Sequence, residues 1–117
     1  MKKINIIKEN EIFNKMIQNM KPYKYKDYLI FLERKEINTY KFGFSIGKKI
    51  GNAVTRNKIK RQLKSIIDKK VYQNNFYCII MVRKSILEKK YSEMEKDLLY
   101  AFSKLNILKE NPNESKK

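Results

Sequence analysis

The chain has 117 residues, 42% of them hydrophobic, with 28 Lys and Arg against 12 Asp and Glu and a formal charge of +16. That length suits one core and no second domain, and that charge selects polyanions as partners. With no His and a single Cys, the commonest general base, the commonest transition-metal ligand and every zinc site of the finger or hydrolase type are excluded.

Residues 1–8 are basic and aperiodic and read as a mobile arm. Ile12, Phe13, Met16, Ile17 and Met20 recur at helical spacing, which predicts an amphipathic helix over 9–20 that Pro22 stops. Its stripe is a core face, with Phe13 either inside it or at an edge where the ring is free to stack. Residues 23–47 read as two or three strands, with a polar connection over 33–39. In the last of these, Tyr40, Phe42, Phe44 and Ile46 share one face, while Lys41, Gly43, Ser45 and Gly47 share the other. The large residues pack a core and the small ones leave a bare sheet surface open to close approach.

Gly51-Asn52 supplies a turn and a helix N-cap. A helix follows over about 53–71, with Ile59, Leu63, Ile66 and Ile67 on one stripe and Asn57, Lys58, Lys60, Arg61 and Lys64 opposite or at its margins. Arg56 falls nearer the apolar edge, in the first turn, where a long side chain reaches past the helix end. Residues 76–82 are apolar on both faces and predict a buried internal strand. Cys78 within it is a small core residue that suits a reducing cytoplasm. Ser92 and Glu95 have capping-box spacing and open a last helix to about residue 106. The polar tail, 109–117, is expected to be disordered. No run is long enough to span a bilayer, and the basic, aperiodic opening residues lead to the expectation of no secretory leader. The order predicts a single α+β domain over 1–108, with helices on one face of a small sheet.

The charge is concentrated. Residues 41–70 carry ten Lys or Arg and one acid, Asp68, which is a net +9 in about a quarter of the chain. Compositional bias toward Lys would raise the acids partly in step and spread the cations evenly, and neither is seen. Fixed cations on a turn and a helix face bind phosphates by counterion release and charge-assisted bonds, and the helix start near Asn52 adds backbone N–H groups. The acids, by contrast, are scattered singly or in surface pairs, so nothing in the chain is equipped to catalyse alone.

The run over 41–64, KFGFSIGKKIGNAVTRNKIKRQLK, resembles the signature of the bacterial ribonuclease P protein family. Gly43, Ser45, Lys48, Lys49, Gly51, Asn52, Ala53, Val54, Arg56, Asn57, Lys60 and Arg61 fall on that pattern. Lys58 and Lys64 stand where the family commonly has Arg, keeping the charge without the bidentate fork. Met16 and Ile17 stand where its first helix often has Val and a second Phe. The resemblance implies a helix–strands–helix–strand–helix fold with a left-handed β-α-β crossover, shared with a ribosomal protein domain. It implies a subunit that cuts nothing itself. A catalytic RNA partner, bound 1:1 and using Mg2+ held mainly by RNA and substrate, would remove the 5′ leader of precursor tRNA. On that basis Lys48, Lys49, Asn52, Arg56, Asn57, Lys58, Lys60, Arg61 and Lys64 are expected to bind the RNA subunit. Phe13, Ile17, Tyr28, Phe31, Lys41, Gly43, Ser45 and Arg83 are expected to hold the leader. Tyr28, Phe31 and Tyr40 are the candidate stacking rings, and alternation alone does not choose among them. The residues also admit a ribosomal or RNA-chaperone protein, or a basic membrane-surface protein.

Overall fold

A strand that is apolar on both faces has to be covered on both, and this requirement organises the computed structural model, which describes residues 1–109. Its elements are α1 (Asn10–Asn19), β1 (Tyr23–Tyr25), β2 (Tyr28–Arg34), β3 (Tyr40–Ser45), α2 (Ala53–Ile67), β4 (Phe76–Val82) and α3 (Tyr91–Lys104). The four strands form one mixed sheet in the order β1-β2-β4-β3. β2 runs antiparallel to β1 and β4, while β3 is parallel to β4, with α2 as the crossover between them. The apolar strand β4 is therefore internal, as its composition requires.

Phe42, Phe76, Cys78, Ile80 and Val82 face α2 and α3, where Leu63, Ile66, Ile67, Leu98 and Phe102 complete the larger core. Phe42, Tyr72, Phe76 and Phe102 meet there edge-on or tilted, at ring-centroid distances of 5.1–5.9 Å, a favourable aromatic arrangement. Burial pushes the Cys78 thiol pKa up, so it is an inert core group. Phe31, Tyr77 and Ile79 point to the opposite face and pack with Ile7 and Met16. That second face is too apolar to be left in water, and α1 covers it. The helices thus lie on both faces of the sheet, against the expectation of one.

The first eight residues are not a free arm. Asn5 is buried and its amide donates to Thr39 Oγ1 (3.2 Å) and the Tyr40 carbonyl (2.8 Å). The Ile7 N–H donates to the Phe42 carbonyl at 2.9 Å, and Ile6 pairs with Phe42 in parallel, so this segment lies along the outer edge of β3. The last helix starts two residues earlier than the Ser92/Glu95 spacing suggests. Glu93, three after Lys90, accepts the Lys90 N–H at 3.1 Å, which leaves Ser92 inside the first turn. Beyond α3, the Lys109 N–H donates to the Val71 carbonyl at 2.8 Å; the remainder of the expected tail, 110–117, lies outside the described residues.

Tyr28 is wholly buried on the α3 side of the sheet, and its hydroxyl donates to the Met94 carbonyl at 3.0 Å. Tyr28→Phe removes that hydrogen bond while the Met94 carbonyl keeps its place in the α3 ladder, so urea denaturation should show a loss of about 0.5–1.5 kcal/mol.

Candidate nucleic-acid interface

Helix α2 begins where Asn52 Oδ1 accepts the Thr55 N–H at 2.9 Å, so this residue of the expected RNA-binding set is first a cap, with its amide nitrogen free. The stripe Ile59, Leu63, Ile66 and Ile67 is buried, and that burial turns Asn57, Lys58 and Arg61 to solvent. Lys60 and Lys64 lean the other way. They line a cavity of about 280 Å³ together with Ile6, Ile7, Asn10, Phe13, Gly43 and Phe44. Arg56 is half-buried, and its Nε is buried without a hydrogen-bond partner. Val54, on the first turn, is 76% exposed. Among the described residues the side-chain ion pairs are Lys41 with Glu9 (3.7 Å) and Lys69 with Glu95. Among the described residues, Lys48, Lys49, Arg56, Lys58, Lys60, Arg61 and Lys64 have no acid neighbour at that range. A cation without an internal partner is available to a phosphate.

The other expected set lies on the α1 face of the sheet. A Cβ added at Gly43 would stand 2.8 Å from Phe13 Cε2 and 3.1 Å from Cδ2. Glycine here admits the Phe13 ring, and the ring roofs the strand. The bare part of this face therefore begins beyond Gly43, at the half-buried Ser45. Phe31 is buried under α1, Tyr28 is buried on the far side, and Tyr40 packs against Phe42, Tyr72 and Phe76. None of these three rings is presented for stacking, which corrects the expectation that Tyr28 and Phe31 hold the leader. Phe13 and Ile17 remain half-exposed along α1. Lys41 is tied to Glu9 at the start of α1.

Ser45 and Arg83 come together at the C-terminal ends of β3 and β4. They line a second cavity, of about 410 Å³, with Leu29, Met81, Lys49 and Lys84. Lys49, expected on the RNA-subunit side, thus shares a cavity with two residues expected to hold the leader. Sequence reading missed Lys84, which follows Arg83 with no pattern to mark it, and Asp27. Asp27 is buried; its carbonyl accepts the Arg83 N–H at 2.8 Å and its carboxylate accepts from Ser85 Oγ at 2.5 Å. These bonds anchor the 3-10 turn Lys84–Glu88 and with it the two cations at the cavity rim. An acid at a hairpin corner reads as a turn residue, so only the fold shows that it is buried.

The basic helix, the capped turn and the roofed glycine strand coincide with a known family. The Ribonuclease P family model matches residues 1–106. The chain belongs to the ribonuclease P protein family. It is 40% identical to the ribonuclease P protein component of Mycoplasma capricolum over 102 residues, which cover 85% of this chain and 94% of that one. Against the component from Listeria innocua it is 33% identical over 120 residues, with 99% and 100% covered. The fold matches the ribonuclease P protein of Staphylococcus aureus with a TM-score of 0.78 at 22% identity, over 90% of this chain and 98% of that one. For the protein from Thermotoga maritima the TM-score is 0.72 at 17% identity, over 82% and 93%. These two likenesses carry the fold alone. Among the described residues no three His, Cys, Asp or Glu side chains gather where a metal ion would bind, and no helix is long and apolar enough to cross a membrane.

Gly43→Ala tests the contact between Gly43 and the Phe13 ring. The added methyl must displace the Phe13 ring, and overpacking of this kind costs about 1–3 kcal/mol, to be read from urea unfolding. The S45A variant, beyond the roofed part of the strand, should unfold at nearly the parent denaturant concentration.

Proposed function

We propose that this chain is the protein subunit of a ribonuclease P ribonucleoprotein that matures the 5′ ends of tRNA, and that its two surfaces hold two RNAs. The exposed side of α2, with Asn57, Lys58 and Arg61, takes the catalytic RNA in a 1:1 complex. The sheet face beyond Gly43, walled by Phe13 and Ile17 and rimmed by Lys49, Arg83 and Lys84, takes the single-stranded 5′ leader of precursor tRNA. The observation that carries this reading is the run of cations, without ion-pair partners among the described residues, that passes from α2 into both cavities. Desolvating these groups against phosphate breaks no internal ion pair, and each contact releases counterions. Mg2+ belongs to the RNA and substrate in this reading, since the acids of the described chain are dispersed; the metal supplies hydrolytic chemistry there and no step is assigned to this protein. The work of the chain is positioning, carried out in the cytoplasm.

Reconstitution decides the matter. The protein alone should leave precursor tRNA intact, and adding the cognate RNA at low Mg2+ should release leader. Cleavage without the RNA, or no effect of the protein on the RNA, overturns the reading. Arg61→Ala should lower the salt dependence of RNA-subunit binding by about one phosphate contact, measured as the slope of log affinity against log salt. An unchanged slope would remove Arg61 from the interface.

A further inference from the structure

One sequence feature stands outside both surfaces: the alternation Lys21-Pro-Tyr-Lys-Tyr-Lys26, which forms the edge strand β1 and its turn. The sheet register links it to the leader face. Ser45 pairs with Met81, Met81 with Leu29, and Leu29 with Lys24, so these four side chains form one row across the sheet on the α1 face. The parallel row of Gly43, Ile79 and Phe31 is closed by α1. The first row is half-buried or exposed along its length. Three strand spacings of about 4.8 Å make it about 14 Å long. It starts at the cavity rimmed by Lys49, Arg83 and Lys84 and ends on the exposed ammonium of Lys24.

Past that edge, strand alternation puts the Tyr25 ring on the far face, against Tyr100 of α3. The two centroids are 4.8 Å apart at an interplanar angle of 32°, and Tyr100 is 44% exposed. Lys26 Nζ lies 5.8 Å from the Tyr25 centroid and Lys104 Nζ 5.5 Å from that of Tyr100. Asp97 is the acid whose charge reaches Tyr25; desolvation first, and then that charge, raises the Tyr25 phenol pKa, so the ring stays neutral. Lys24, Lys26 and Lys104 form no ion pair among the described residues. Aromatic faces beside ammonium groups hold single-stranded nucleic acid without sequence preference, the rings by stacking and the cations through phosphates. Three ammonium groups to one carboxylate favour a polyanion over an apolar protein face.

We propose that the leader track crosses the sheet along the row from Ser45 to Lys24, turns over the edge of β1, and ends on a second platform made by Tyr25, Tyr100, Lys26 and Lys104. This rests on the leader reading above and adds a contact for leader nucleotides too distant to touch the α1 cleft. Long leaders gain from it; short ones do not reach it.

The test uses the complex reconstituted with the RNA subunit and three substrates: tRNA without leader, with about four leader nucleotides, and with about ten, the shorter leader chosen to end within the row of about 14 Å. Affinities are measured for the parent, for Tyr100→Ala, for Tyr100→Phe and for the double variant Lys26→Ser with Lys104→Ser, with thermal melts confirming that each is folded. The step from none to four reports the leader cleft and should be equal in all four proteins. The step from four to ten should shrink about fivefold or more in Tyr100→Ala, the loss of one stacked base, shrink also in the double lysine variant, and return in Tyr100→Phe. An equal second step in parent and variants, or no second step in the parent, overturns the platform. A missing first step in the parent overturns the leader reading itself.

Discussion

Everything in this molecule depends on β4. Its side chains alternate Phe76, Cys78, Ile80 and Val82 on one face with Tyr77, Ile79 and Met81 on the other, and both sets need shelter from water. The first set draws α2 and α3 together into the larger core. The second set draws α1 across the opposite face, where Phe13 reaches the backbone of β3 because position 43 has no side chain. Once both coverings are made, α2 has one stripe committed to the core, and its cationic side is fixed in direction. The open part of the sheet is what α1 is too short to cover.

The electrostatics follow from the same geometry. A chain of +16 repels itself, and the described residues relieve little of that by pairing, since the side-chain pairs Lys41–Glu9 and Lys69–Glu95 both lie away from the exposed face of α2. Surface pairs of this kind contribute little in any case. The hydrophobic core holds the fold together against the charge, and the charge remains available for a polyanion. Lys60 and Lys64, at the boundary between α2 and β3, belong to both surfaces at once.

Much of this was legible in the sequence. Periodicity placed α1, α2, β3, β4 and α3 within a few residues, because each carries a stripe or an alternation that burial later enforced. The Asn52 cap was legible because a cap is local. What escaped depends on who packs against whom. Alternation separated Gly43 from Phe42 but could not show that Phe13 would sit on the glycine, so the strand looked more open than it is. Tyr28 and Phe31 stand three positions apart on opposite faces of β2: one is sealed beneath α3 and the other beneath α1, and composition gives them the same look. The arm at residues 1–8 seemed free because its anchors, Asn5 and Ile7, bond to a strand some thirty-five positions away. Family resemblance supplied the RNA partner; physics alone would have stopped at a polyanion.

The parallel pairing of β3 with β4 has a consequence for how the molecule assembles. β1 and β2 are joined by a tight corner and meet early, since closing a short loop costs little entropy. β3 pairs with β4 across the whole of α2, and β2 pairs with β4 across a still longer stretch of chain; both are long-range closures of the kind that slows folding. The segment that bridges β3 and β4 is also the most positive part of the chain, and its self-repulsion works against the closure. A polyanion that binds the finished helix favours the closed state by mass action, so such a partner would also act as ballast for the parallel pairing.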